Sequence, residues 1–234
     1  MEGSASVIEA VNEPVIHALE VPVFKPIMRG WLHVAAFAVV LVLGSILIAG
    51  AIGTDSGPAT IVIYVAGTAA MFGVSSAYHR LRWNTNNRAL MSKLDHCTIF
   101  LAIAGAYTPI AVVALNGWHE TALLLTVWIG TIIGISLQWM PFHMPRWAFA
   151  AVYVVVGWAA LPSINRWYTG LGPLGFALVL GGGLAYTLGA VVYAMKRPDP
   201  WPRIFGFHEV FHSCTIVGAG MHFAVMAAVV MPKL

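Results

Sequence analysis

Two histidines four residues apart, His208 and His212, stand near the end of the chain with Glu209 between them. On a helix such a pair lies about 40° apart around the axis and about 6 Å apart along it. At that spacing two imidazoles can grip one metal ion. The stretch also reads H-E-x-x-H, which in metalloproteases supplies two zinc ligands and a general base. It opens the run SCTIVGAGMHFAVMAAVVM, apolar enough to lie in lipid. Ionisable groups at the end of a membrane helix are costly unless something uses them.

A metal held this way needs a third ligand. Downstream, His222 lies about 15 Å further along the helix and cannot share a metal with His212. It is expected to line a cavity or to hydrogen-bond a neighbouring helix. The third ligand must come from upstream, which favours His79, with His96 or Glu209 as the next candidates. His79 closes Ser75-Ser76-Ala77-Tyr78-His79, and Ser75 sits one turn earlier on the same face. Taken alone, His79 would read as an interfacial residue reaching for headgroups. Asp95 has two compatible readings. Ser92-Lys93-Leu94-Asp95 before an apolar run is a helix-capping pattern, and the carboxylate can also face the metal. His96 is turned about 100° from Asp95 and is expected to face elsewhere. His17, His33, His119 and His143 read as interface or loop residues.

Three histidines with an open fourth position are the pattern of a catalytic zinc site. Zinc lowers the pKa of its water to about 7. Asp95 would then take the proton, and Ser75 would hold the water or a substrate oxygen. Zinc is preferred to copper because no Cys or Met ligand set exists, and to iron because no carboxylate is clearly a ligand. Between the two acids, Asp95 is expected to be the base. Glu209 is expected to bind Arg203 or a neighbouring helix.

The elements that must position these groups follow from composition. The chain has 234 residues, 59% of them hydrophobic and only 9% charged, with a mean hydropathy of +0.82. Soluble domains carry about 25% charged residues, so this is an integral membrane protein. A helical span needs about 20 apolar residues, and seven such runs lie near 31–53, 59–79, 96–116, 121–140, 147–163, 171–195 and 207–231. The expected fold is all-α, a bundle of seven transmembrane helices forming one domain over 31–234. Residues 1–30 form a short cytoplasmic segment with no cleavable signal. With the N-terminus inside, ten of the twelve Lys and Arg fall on the inner side. The positive excess marks the cytoplasmic face, so the C-terminus is expected outside. The end of the second span and the starts of the third and seventh then share one leaflet. His79, Asp95, His208 and His212 can meet there at one depth. Cys97 and Cys214 both lie in apolar stretches and are expected as free thiols. Gly130 and Gly134, and the series Gly181, Ala185 and Gly189, read as stripes for close helix packing. Pro109 and Pro162 are expected to kink or end their helices.

The sequence resembles the hemolysin III proteins, the bacterial branch of the progestin and adiponectin receptor family. The resemblance rests on Ser75-x3-His79, Ser92-Lys93-Leu94-Asp95-His96, Ala104-Gly105-x-Tyr107-Thr108-Pro109 and His208-Glu209-x-x-His212, in that order. It implies a seven-helix bundle with an inside N-terminus. It also implies a zinc ion near the inner face on His79, His208 and His212, with Asp95 and Ser75 beside it. The expected location is the plasma membrane, the inner membrane of a bacterium. The family's functions range over hormone-type receptors, ceramidase-like hydrolases, regulators of membrane lipid state and haemolysins.

The preferred reading is hydrolysis of a lipid amide or ester at a zinc centre. The alternatives are a non-enzymatic sensor, regulator or receptor in which zinc is structural, and a pore former. No helix carries the regular polar stripe a pore needs. An intramembrane protease is disfavoured by the missing downstream ligand. Membrane lipids are the expected partners, and nucleic acid is not.

Overall fold

The computed structural model describes residues 25–55, 57–141 and 144–234. His17, His143 and most of the expected cytoplasmic segment lie outside them. The described residues form helices and no strand. In chain order the α-helices are α1 (Trp31–Ala51), α2 (Gly57–Arg80), α3 (Thr85–Ala114), α4 (Gly117–Trp139), α5 (Arg146–Gly157), α6 (Ile164–Met195) and α7 (Phe207–Val225). The protein is an integral, multi-pass, all-α membrane protein.

Six helical stretches are long and apolar enough to cross a membrane, the fifth being Arg146–Met195 taken together. Within that stretch, the expected span 147–163 is built of α5 and the segment that follows it. α5 itself has 12 residues and rises about 18 Å. A turn and a 3-10 segment, Leu161–Ser163, follow it. Pro162 lies in that segment, while Pro109 is carried inside α3. α5 then runs back against the later part of α6. The Arg146 guanidinium lies over the Tyr193 ring, and Trp158 donates from Nε1 to Thr187 at 2.9 Å. Within α6, Gly172 adopts φ 73 ahead of Pro173. Only glycine takes that conformation without strain.

Helices adjacent in sequence pack on each other, and α1 meets α7. At one end, buried Ala51 and Ile61 cluster with Ile110, Leu115, Trp167 and Val225–Val230. The start of α2 thus meets the ends of α1 and α3, so the neighbours are antiparallel. α2 and α3 approach closely. A Cβ on Gly67 would lie 2.6 Å from the Leu101 carbonyl oxygen, and one on Gly105 would lie 2.9 Å from that of Ile63. Small residues allow such backbone contact in lipid, where dispersion rather than water release holds helices together.

The capping pattern at Ser92–Asp95 is not used. α3 starts eleven residues before its expected 96, at Thr85, where the Asn84 side chain accepts from the Asn87 N–H at 2.8 Å. Its first turns, Thr-Asn-Asn-Arg, are polar and exposed, so the helix outlasts its apolar run and Asp95 falls inside it.

Candidate metal centre

His79 lies in the last turn of α2 and His208 and His212 in the first turns of α7, and one ring nitrogen from each lies within 4.8 Å of the others. His79 Nε2 and His208 Nε2 are 3.2 Å apart. Two nitrogens at about 2.05 Å from a tetrahedral zinc are separated by about 3.3 Å. His79 and His212 are buried, and His212 Nδ1 has no hydrogen-bond partner. A pair of neutral imidazoles at this distance can share one proton, which leaves Nδ1 of the third buried ring, His212, unpartnered. The donor set and spacing fit a metal with nitrogen preference.

Asp95 stands next to this cluster, its Oδ2 3.9 Å from His79 Nε2. Ser75 is buried, and its hydroxyl is within hydrogen-bonding reach of the Asp95 carboxylate. The close α2–α3 packing at Gly67 and Gly105 lets these two helices place Ser75, His79 and Asp95 together. His96 turns from the histidine cluster but not from the cavity: its Nδ1 lies 2.6 Å from the Ser92 carbonyl oxygen and its Nε2 3.4 Å from the Tyr193 hydroxyl.

Glu209 is fully buried and bound on both oxygens. Oε1 accepts from Arg29 Nε, and Oε2 accepts from the Gly206 N–H at 2.9 Å. The second contact makes Glu209 the cap of α7, satisfying one of the free N–H groups at a helix start. Its cationic partner is Arg29, from the segment ahead of α1. A strap from Lys25 to Gly30 accounts for this. The strap is held by Ile27 and Met28 donating to the carbonyls of Arg203 and Ile204, both at 3.1 Å. Lys25 Nζ donates to the His79 carbonyl. Gly30, at φ +85, lies so near α2 that a Cβ there would be 2.7 Å from His79 Cβ.

One histidine differs from its sequence reading. His33, expected at an interface, is buried at 3% exposure. It stacks on His212 with centroids 3.7 Å apart and planes 8° from parallel. Its signal was its place near the start of the first span, at the depth of His79. His222 faces α6, with the Val179 backbone in reach of its ring. It sits edge-on to Tyr186 at 5.4 Å and lines the cavity. His119 is half-buried in the first turn of α4. Cys97 and Cys214 are free.

A cavity of about 1010 Å³ opens beside the cluster. His79, Asp95, His96, Tyr193 and His208 line one end, and Ile103, Ile110, Trp167 and Phe176 line its interior.

This arrangement has known relatives. The sequence profile described as "Haemolysin-III related" matches residues 22–223. The chain belongs to the haemolysin-III related family. It is 29% identical to "Hemolysin-3" of Bacillus cereus over 182 residues, covering 77% of this chain and 79% of that protein. It is 31% identical to the "Hemolysin-3 homolog" of Bacillus subtilis (strain 168) over 140 residues, 58% of this chain and 62% of that one. The "Adiponectin receptor protein" of Drosophila melanogaster is 28% identical over 190 residues, 73% of this chain but 42% of the longer relative. These haemolysin-III relatives join the bacterial proteins to the adiponectin receptors, as the four motifs imply.

Proposed function

We propose that this protein hydrolyses an amide or ester bond of a membrane lipid, with zinc held by His79, His208 and His212. The observation that carries the reading is the three-histidine cluster at the polar end of an otherwise apolar cavity. When bound, zinc would act there as a Lewis acid on the acyl oxygen and on water. Asp95 is placed to take the proton of the attacking water and to return it to the leaving nitrogen or oxygen. Ser75 holds that carboxylate in place. Glu209 is not available as a base, because Arg29 and the α7 N-terminus occupy both its oxygens. The apolar interior takes the acyl chain. We further assign seven passes with an inside N-terminus, which puts the site in the inner leaflet. The support is the basic distribution and the antiparallel return of α5 on α6.

The test is release of fatty acid from mixed membrane lipids by purified protein, with and without a chelator. Chelator-sensitive release is expected. Asp95→Asn should keep most of the metal and lose at least about 100-fold in rate, the scale of general-base catalysis. Glu209→Gln should stay active if it still folds. No release by the wild type would overturn the hydrolase and leave a sensing or receptor role, the latter as in the name of the Drosophila relative. The strap joining the N-terminal segment to both His79 and Glu209 suits such a role, since it ties that segment to the site.

A further inference from the structure

Among the described residues, the rim of the cavity is cationic beyond what its carboxylates neutralise. Lys25, Arg29, Arg88, Lys93, Arg146 and Lys196 line it, against the carboxylates of Asp95 and Asp199. Arg29 is committed to Glu209, and Asp199 Oδ1 accepts from the Phe207 N–H at 2.8 Å. Asp95 lies by His79. Among the described residues, no carboxylate pairs with Arg88, Lys93, Arg146 or Lys196. Three of these four rest on aromatic rings instead. Arg88 lies 5.7 Å from the Tyr78 centroid, Lys93 5.2 Å from that of Trp139, and Arg146 5.8 Å from that of Tyr193. A cation on a ring face is oriented but keeps outward N–H donors for a ligand.

The bias of basic residues to the cytoplasmic side explains the sign of this end. It does not explain why these four line one cavity. Arg82 and Arg197 are also exposed, yet neither lines the cavity. The four rim cations come from α3, α5 and the residue that ends α6, three separate places in the chain. Charges of one sign around a low-dielectric opening focus the field on it and draw in the opposite charge.

We propose that the lipid taken by this cavity carries a phosphate head, seated by Arg88, Lys93, Arg146 and Lys196, with its acyl chain in the apolar interior. The proposal rests on the reading above that the cavity accepts a membrane lipid, and it names the class. A phosphate offers three acceptor oxygens and up to two negative charges. That suits four cations that pair with no carboxylate among the described residues better than a neutral amide or glycerol head does.

The test compares oleoyl-glycerol phosphate with oleoyl glycerol, binding to the full chain in neutral detergent. The phosphate lipid is expected to bind at least about tenfold more tightly, with the preference falling as salt rises. The double variant Arg146→Gln with Lys196→Gln should bring the preference to about threefold or less. Its affinity for oleoyl glycerol should not change, which shows that it is folded. If that affinity is lost, Arg88→Gln with Lys93→Gln takes its place in the same comparison. The pair Arg82→Gln with Arg197→Gln should leave the preference intact. Inorganic phosphate at millimolar concentration should displace little of the lipid. Full displacement would make this a site for free phosphate and overturn the lipid assignment. Equal binding of the two lipids overturns the phosphate head alone. So does a control pair that lowers the preference as much as the rim pair. Binding of neither lipid overturns the acyl cavity as well.

Discussion

The two ends of α2 and α7 are packed by opposite means. At one end, Ile61, Tyr64 and Val65 of α2 join Leu47, Ile110, Trp167 and the Val225–Val230 turn in a fully apolar cluster. At the other, the same two helices bury Ser75, Ser76, His79, Glu209 and His212. The apolar end tolerates a change of one side chain for another of like volume. The polar end does not, because each buried group is stable only with its own partner. An unpaired buried charge or donor costs more than its bond contributes. Stability at the first end is therefore spread over many contacts, and at the second it is concentrated in a few.

The sharpest way to break this comparison is to remove the proposed metal. Purified protein should carry about one zinc per chain, and His79→Ala, His208→Ala and His212→Ala should each lose most of it. His222→Ala should keep it, being about 15 Å away along α7. Elemental analysis of the variants decides this. Full zinc in His79→Ala would mean that the polar end is held without the third histidine.

Next in size is the ion pair under α7. Arg29→Ala leaves the Glu209 carboxylate buried with only its capping contact. Removing one partner of a buried pair costs about 3–5 kcal/mol. At the apolar end, Ile61→Val deletes one methylene from a side chain of 0% exposure and should cost about 1 kcal/mol. Thermal unfolding in one detergent compares them directly. Equal losses would dissolve the contrast between the ends.

What the sequence made legible divides along the same line. The His208–His212 pair follows from helix geometry alone. Its meeting with His79 and Asp95 follows from antiparallel helices that place these residues at one depth. Rotations between helices are not written in local spacing, which is why His33 read as an interface residue. The start of α3 was hidden because hydropathy marks where lipid begins and not where a helix begins; Asn84 caps it well outside the apolar run. The span at 147–163 counts as apolar, yet the chain turns after Gly157 and doubles back. Arg29 lies 180 residues from Glu209, and no motif announces such a pair.

The smallest expected effect concerns His33, and it tells packing from ligation. The ring lies flat on His212 and meets Phe72 edge-on at 4.9 Å. Neither of its nitrogens has a hydrogen-bond partner, and it is not part of the cluster whose nitrogens converge. Its visible contacts are thus those of an aromatic slab that fixes the plane of His212. His33→Phe keeps such a slab and should hold zinc affinity to within about twofold, since no ligand or hydrogen bond is lost. His33→Ala leaves a void and frees the His212 ring. Loss of a residue that orients a ligand typically weakens metal binding about 10-fold or more. Competition with a chelator of known affinity measures both variants. If His33→Phe loses metal as His79→Ala does, a nitrogen of His33 is itself a donor, and the polar end holds a fourth ligand rather than a packing ring.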